Sequence, residues 1–460
     1  MAVDTPLASR PRRGLVARLA DTGVRHDGWL DGVRAVAVLF VFIRHSWGLS
    51  GSPVVSFVGA DLRPLIVMMS NGVDLFFVLS GVLLARSFLR ADFQGRPAPR
   101  LLPYLAARIL RIGPPYWVVL VLVVFLFTPQ FIPEARVVGP LGARIFGAHM
   151  LFLQTAYLPS FGAYIVETPF WTLTIEMIFY LVLPVAVIAF LRRRWVASLP
   201  LALGVSLGWL WFVRNSAEGI VSLWGEHSKS LGIEYPEPVV RFFLSHQFPA
   251  FAFHFAVGIS VANALEQRRL GHRSRLLTST AGACYLGVGI VVVLYFMRLL
   301  GWDSLVHGYA DPIQYMKSSE PSALLYYYLE GIPFAAGFGL IVLGLGLGPL
   351  SMRRLAGVSW LAFWGVVGYS VYLLHMPILW KLTTYGFIAE DVDPQSHFRR
   401  LAVVGLFCVG VLATGFFLAV ERPSIRWAHS WRNRLQNGPD ERPSLSSAPE
   451  VDAVSIGVAP

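Results

Sequence analysis

The sequence predicts an all-α integral membrane fold: about ten transmembrane helices plus one re-entrant or interfacial helix, with both termini cytoplasmic. Three observations predict it. Of the 460 residues, 55% are hydrophobic and only 14% charged, whereas soluble domains carry about 25% charged residues. Apolar runs long enough to cross a bilayer recur along most of the chain. The arginines collect in alternate connections between those runs, the pattern of cytoplasmic loops.

Residues 1–28 form a basic cytoplasmic segment carrying Arg10, Arg12, Arg13, Arg18 and Arg25. It is expected to be retained rather than cleaved, because the apolar run that follows is long enough to span. A ten-span domain then covers 29–423, with spans at 29–50, 66–86, 115–133, 169–191, 195–213, 246–265, 277–298, 329–349, 357–380 and 400–420. Arg90, Arg96, Arg100, Arg108 and Arg111 follow span 2, and Arg192, Arg193 and Arg194 follow span 4. Arg268, Arg269, Arg273 and Arg275 follow span 6, Arg353 and Arg354 span 8, and Arg422, Arg426, Arg432 and Arg434 span 10. The other connections are sparse in basic residues, holding Arg63, Arg136, Arg144, Lys229, Arg241 and Lys317. The stretch Gly142–Leu158 is apolar enough to insert, but as a full span it would break this alternation. It is therefore expected to be re-entrant or interfacial on the outer side, where protein or water covers its backbone. Residues 424–460 are expected to be a cytoplasmic tail, disordered where Pro, Ser and Asp dominate after Asn437.

The net charge of +11 follows from arginine clusters beside anionic lipid and needs no nucleic-acid partner. Cys284 and Cys408 fall in mid-span and read as small core residues, with neither a disulfide framework nor a metal-ligand set.

Four constellations carry chemistry. Arg34 and His45 lie eleven positions apart in span 1, about three helical turns, so they share a face about 16 Å apart along the axis. Ionisable groups in a membrane helix are costly and mark functional sites. A cation and an imidazole so placed can hold two ends of one long substrate; the structural alternative is polar glue between helices. Asp31 is spaced to pair with Arg34. Asp74, in Asn71-Gly-Val-Asp-Leu-Phe-Phe-Val-Leu-Ser-Gly81, would orient an imidazole, neutralise an arginine, or simply favour a helix N-terminus. Arg108 and Arg111, one turn apart before Pro114-Pro115-Tyr116, can grip phosphates, or merely obey the positive-inside pattern; the proline pair suits a first helical turn. Glu176, with Tyr180 four residues on, follows Trp171 in Phe170-Trp-Thr-Leu-Thr-Ile-Glu176 and would act as an acid/base or orient His45. His375 reads as a satisfied core histidine, with His149 and His254 weaker still. Phosphate-binding glycine loops, nucleophile elbows and zinc-protease motifs do not occur.

These residues carry a resemblance. Leu30-Asp-Gly-Val-Arg34 with ten residues before His45, Gly72-Val-Asp74-Leu-Phe-Phe-Val-Leu-Ser-Gly81, Arg108-x-x-Arg111 with Pro-x-Tyr following, Trp171-Thr-Leu-Thr-x-Glu176-x-x-Phe-Tyr180, Tyr369-Ser-x-Tyr-Leu-x-His375-x-Pro377 and Val420-Glu421-Arg-Pro423 stand in order along the chain. Together they resemble the membrane acyltransferase 3 family, which includes bacterial O-antigen and exopolysaccharide acetylases and macrolide acyltransferases. The resemblance implies an enzyme of the bacterial inner membrane that moves an acyl group, usually acetyl, from cytoplasmic acyl-coenzyme A to a hydroxyl of a carbohydrate, glycolipid or secondary-metabolite acceptor on the outer side. The acyl-coenzyme A is a co-substrate rather than a bound cofactor. By this resemblance Arg34, Arg108 and Arg111 would hold the donor, and His45 would act as general base with Asp74 or Glu176 fixing its tautomer. Trp171, Tyr180 and His375 would face substrate, and Trp171, Tyr180 or Arg44 would steady the oxyanion. The chain departs from the family at Arg44, where an apolar or small polar residue is usual, and at Glu176-Met177, where two acids often stand. The esterase-like domain fused to some members is not expected, since too few residues follow Pro423. The competing reading is a polytopic transporter or flippase of a glycan or lipid-linked substrate, which would more often show paired repeats with interrupted spans.

Overall fold

A computed structural model describes residues 27–127, 139–161, 169–190, 195–233, 235–272, 274–307, 321–384 and 393–437. The expectations for the basic segment up to residue 26 and for a disordered tail beyond Asn437 fall outside them. So do Arg136, Arg192, Arg193, Arg194, Arg273 and Lys317 of the charge pattern. Among the described residues the fold is helical apart from a two-residue hairpin, Ser56–Phe57 paired with Ala60–Asp61. Nine helices are long and apolar enough to cross a membrane, or ten when one bent pair counts as a span.

In chain order, α1 is Gly28–Leu49 and α2 is Arg63–Phe93, which tightens into a 3-10 turn at Met68–Asn71. Helix α3 is Leu101–Leu122, and α4, Gly139–Met150, is too short to span. It docks on α3: Tyr116 Oη donates to the His149 carbonyl at 3.1 Å and Trp117 Nε1 to that of Met150 at 3.0 Å. A non-spanning helix is thus observed at Gly139–Met150, covering only the first half of the stretch 142–158. Then come α5 (Trp171–Phe190), α6 (Trp195–Asn215), the short α7 (Glu218–Ser230) and α8 (Glu237–Ser245), and α9 (Ala252–Arg269). They are followed by α10 (Ser279–His307), α11 (Pro321–Leu329) and α12 (Ile332–Leu347). Last are α13 (Leu350–Ala356), α14 (Ser359–Val366), α15 (Gly368–Thr384), α16 (Pro394–Phe416) and α17 (Arg422–Asn437).

Three expectations need correcting. Span 3 does not begin at residue 115: α3 starts at Leu101, and Pro114 and Pro115 lie inside it rather than in its first turn. The amphipathic turns carrying Arg108 and Arg111 are helical because protein, not lipid, receives their polar face. Span 9 is broken: α14 and α15 meet at a 69° bend. The amide ends exposed by this break are met from a distance in sequence. Glu421, 2% exposed, accepts from Ser370 N at 3.2 Å and Ser370 Oγ at 2.5 Å, at the N-terminus of α15. A carboxylate there satisfies orphan donors and the helix dipole together. A π-turn at Phe417–Glu421 aims Glu421 inward. Finally, the first part of the segment assigned to the tail is the helix α17.

Two large buried apolar clusters divide the interior, one around α3, α5, α15 and α16 and one around α10 and α12, with a smaller third among α6, α7 and α8. Helices α1 and α2 contribute to both large clusters, so side chains between their apolar stripes sit at the seam of the molecule. A close helix approach lies beside that seam, where Gly81 of α2 faces Gly258 of α9. A Cβ built on Gly258 would stand 2.2 Å from the Val78 carbonyl oxygen, so only glycine admits this crossing. Outward faces such as Val288, Val291 and Leu294 of α10 and Val403, Phe407 and Val411 of α16 are apolar and exposed, as lipid contact requires. At one end of the bundle Arg86 pairs with Asp27 at 2.5 Å and with buried Glu266 at 3.1 Å, and Arg90 reaches Glu266 at 2.8 Å. This ion cluster ties α2 and α9 to the start of α1 at the arginine-rich end.

Candidate active site

Helix α1 aligns Arg34 and His45 along one face, and each lines a different cavity. Arg34 lines a cavity of about 130 Å³ together with Arg108 and Arg111 of α3 and Glu176 and Tyr180 of α5. The three guanidinium groups differ in how they are held. Arg34 donates to Asp31 Oδ1 at 2.6 Å, the i,i+3 pairing that the spacing predicts. Arg108 lies over the Tyr104 ring at 5.7 Å, and its buried Nε has no hydrogen-bond partner among the described residues. Arg108 and Arg111 have no ion-pair partner among the described residues. Glu176 is held inside the same cavity, accepting from Tyr180 Oη at 2.6 Å and Ser80 Oγ at 3.1 Å. One carboxylate facing three arginines leaves a cationic chamber, and guanidinium forks without carboxylates are suited to a phosphorylated ligand.

His45 lines the second cavity, of about 220 Å³, with Arg44, Asp74, Trp171, His254 and Glu330. The two cavities meet at Val73, which lines both. Beside this junction Tyr372 of α15 donates to the Pro169 carbonyl at 2.5 Å and lies 2.6 Å from Thr172 Oγ1, joining the broken span to the start of α5.

The hydrogen bonds of α15 decide the state of His45. His375 Nδ1 lies 2.7 Å from the Tyr372 carbonyl oxygen, which can only accept, so Nδ1 carries the hydrogen. The neutral His375 ring then presents its lone pair at Nε2, which faces His45 Nδ1 at 3.1 Å. His45 therefore donates from Nδ1 and keeps a lone pair on Nε2. That is the tautomer a general base needs, and a proton taken at Nε2 leaves the Nδ1–H bond in place to stabilise the cation.

The sequence-derived candidates separate between the two chambers. Arg34, Arg108, Arg111, Glu176 and Tyr180 fall in the first; His45, Asp74 and Trp171 in the second. Neither Asp74 nor Glu176 hydrogen-bonds His45, which corrects the expectation that a carboxylate fixes its tautomer. Glu176 faces the arginines, and Asp74 Oδ2 accepts from Asn71 Nδ2 at 2.8 Å while its Oδ1 lies 2.7 Å from His254 Nε2. His375 lines neither cavity: 1% exposed, it stands behind His45 as its hydrogen-bond partner rather than facing substrate. Tyr180 likewise belongs with the arginines. Arg44 lies over the Trp47 ring at 5.4 Å. Sequence reasoning missed Glu330 and undervalued His254. An acid at the entrance of an apolar span was the available signal for Glu330.

Comparison with known proteins identifies the family. Residues 27–422 match the family profile described as an acyltransferase domain, that of acyltransferase family 3. The peptidoglycan O-acetyltransferase OatA of Listeria monocytogenes serovar 1/2a is 25% identical over 398 residues, 84% of this chain and 54% of that protein. A Rhizobium radiobacter protein called protein 2 in picA locus is 31% identical over 161 residues, 32% of this chain and 76% of that protein. The chain thus spans about half the length of the Listeria relative. None of the solved structures matches it.

Proposed function

Because the chain belongs to acyltransferase family 3, we propose that this membrane acyltransferase moves an acetyl group from cytoplasmic acyl-coenzyme A to a hydroxyl of a carbohydrate or related acceptor held towards the outer side of a bacterial cytoplasmic membrane. Its membership sets aside the transporter reading. The name of the Listeria relative supports acetyl as the acyl group and a glycan as the acceptor. The observation that carries the proposal is the pair of cavities along α1 that share Val73 as a wall, cationic at Arg34, Arg108 and Arg111 in one and holding His45 in the other.

The donor's phosphates engage Arg108 and Arg111, supported by Arg34, and its thioester arm runs past Val73 towards His45. The acceptor hydroxyl attacks the thioester carbonyl carbon while His45 Nε2 takes its proton. The carbon–sulfur bond breaks, the thiolate recovers the proton from His45, and the ester and free coenzyme A leave. His375 holds the base in the required tautomer. Trp171 and Arg44 line the chamber in which the oxyanion develops.

The test is transfer of radiolabelled acetyl from acetyl-coenzyme A into glycan in membranes carrying the protein, beside membranes without it. Label above the control is expected; equal label in both contradicts the reading. A second expectation concerns the donor chamber. Arg111→Ala removes one of two guanidinium groups that lack a carboxylate partner, so KM for acetyl-coenzyme A should rise about tenfold or more, with kcat less affected. An unchanged KM would remove Arg111 from donor binding.

A further inference from the structure

The chamber around His45 contains a second polar wall that the proton transfer leaves unused. On this wall Asn71 Nδ2 bridges Asp74 Oδ2 at 2.8 Å and the Glu330 carbonyl at 2.7 Å, and Asp74 Oδ1 lies against His254 Nε2 at 2.7 Å. The segment carrying Glu330 comes in close because Gly331 follows it: a Cβ there would stand 3.0 Å from His254 Nε2. The wall is under-satisfied. Asn71 is 3% exposed and His254 2%, yet among the described residues Asn71 Oδ1 and His254 Nδ1 have no hydrogen-bond partner and His254 Nε2 has only its contact with Asp74. Among the described residues the Glu330 carboxylate has only Tyr326 Oη, at 3.5 Å. Buried groups of this kind are normally paired, so the wall is built for a ligand that both donates and accepts. Trp171 and Phe251, whose rings are 5.6 Å apart, also line the chamber, and the Phe251 ring stands 5.5 Å from that of His254.

We propose that Asn71, Asp74, His254 and Glu330 form an acceptor subsite for a hydroxyl-rich ring that carries no anionic group, and that Glu330 sets this charge preference. The inference rests on the acyltransfer reading above. Hydroxyls on the ring's edge donate to the two carboxylates and accept from His254, while its apolar face lies on the aromatics. The charged and titratable groups lining the chamber are Arg44, His45, Asp74, His246, His254, Tyr327, Tyr328 and Glu330. Two carboxylates against one guanidinium leave the chamber negative when its imidazoles are neutral. An acceptor bearing its own carboxylate would meet like charge in a confined space, which disfavours it.

The experiment uses the purified full chain, acetyl-coenzyme A, and three probes differing in charge: the methyl glycosides of glucose, glucosamine and glucuronic acid. Release of the coenzyme A thiol is followed at pH 8. The neutral and amino glycosides should raise release above the acceptor-free rate, with kcat/KM for the glucuronide at least about tenfold lower. In Glu330→Gln that gap should close to within about threefold, with KM for acetyl-coenzyme A unchanged. Equal rates for glucoside and glucuronide in the unaltered protein overturn the subsite without needing any variant, as does a lack of transfer to the neutral glycoside. Release that survives His45→Ala contradicts the acyltransfer mechanism itself. Release that depends on His45 but ignores acceptor charge contradicts this subsite alone.

Discussion

Replacing His45 with Ala is expected to lower acetyl transfer by about 10²- to 10⁴-fold, the usual worth of a positioned general base, while KM for the donor stays near its original value. The expectation follows from the hydrogen-bond chain Tyr372 carbonyl, His375, His45, which ends in a lone pair facing the chamber. Removing the imidazole takes away the proton acceptor but leaves Arg34, Arg108 and Arg111 in their own cavity. Steady-state kinetics of the purified variant, with donor and acceptor varied separately, checks the split. Added imidazole should restore part of the rate, because the truncated side chain leaves room beside His375. A variant that loses donor affinity and turnover together, or that loses only folded protein, would contradict the role given to His45.

A large effect on stability is expected at Gly258. Valine there places its Cβ about where the Val78 carbonyl oxygen and the Gly81 Cα now sit, at 2.2 Å and 2.8 Å. These are backbone atoms of a neighbouring membrane helix and cannot rotate away. Overpacking a core costs about 1–3 kcal/mol where side chains can adjust, and more is expected against backbone. A loss of that size is a large fraction of the roughly 5–15 kcal/mol that holds a typical protein folded. The same crossing holds Asp74 against His254 and Arg86 against Glu266. Gly258→Val should therefore abolish the monodisperse peak in size-exclusion chromatography, whereas Gly287→Ala, with open space around its Cβ position, should leave it unchanged. Equal behaviour of the two would mean that α2 and α9 do not meet in this way.

The number of spans and their approximate positions were legible because each is an apolar run, punctuated by arginines on alternate sides. What escaped sequence reading lies where one segment is completed by another. Helix α3 begins at Leu101 because protein receives the polar face carrying Arg108 and Arg111; a hydropathy window ends where that face begins. The bend at Val367 has no proline of its own, whereas Pro377 sits inside α15 without ending it. The bend is supported by Glu421, a contact across 51 positions that no local pattern encodes. The same division runs through the site. Arg34 and His45 share a face because 3.6-residue periodicity requires it, and Arg34 with Asp31 is a one-turn pair; both were readable. The partners of His45, Asp74 and Glu176 depend on how α5, α9 and α15 rotate about their axes. The periodicity of α1 and α2 does not contain that rotation, so His375 in place of a carboxylate, and the Asp74–His254 contact, emerge only in three dimensions.

The central claim is that one donor threads both cavities, with its phosphates at the arginines and its acyl group beside His45. Photo-crosslinking tests it most directly, using a coenzyme A thioester whose acyl chain carries a diazirine, followed by mass spectrometry of the labelled peptides. The account predicts label on the walls of the His45 chamber, at Val41 to His45 of α1 or at Trp171, and its loss when excess acetyl-coenzyme A competes. Label confined to lipid-facing residues of α10 or α16, or unaffected by the competitor, would contradict it.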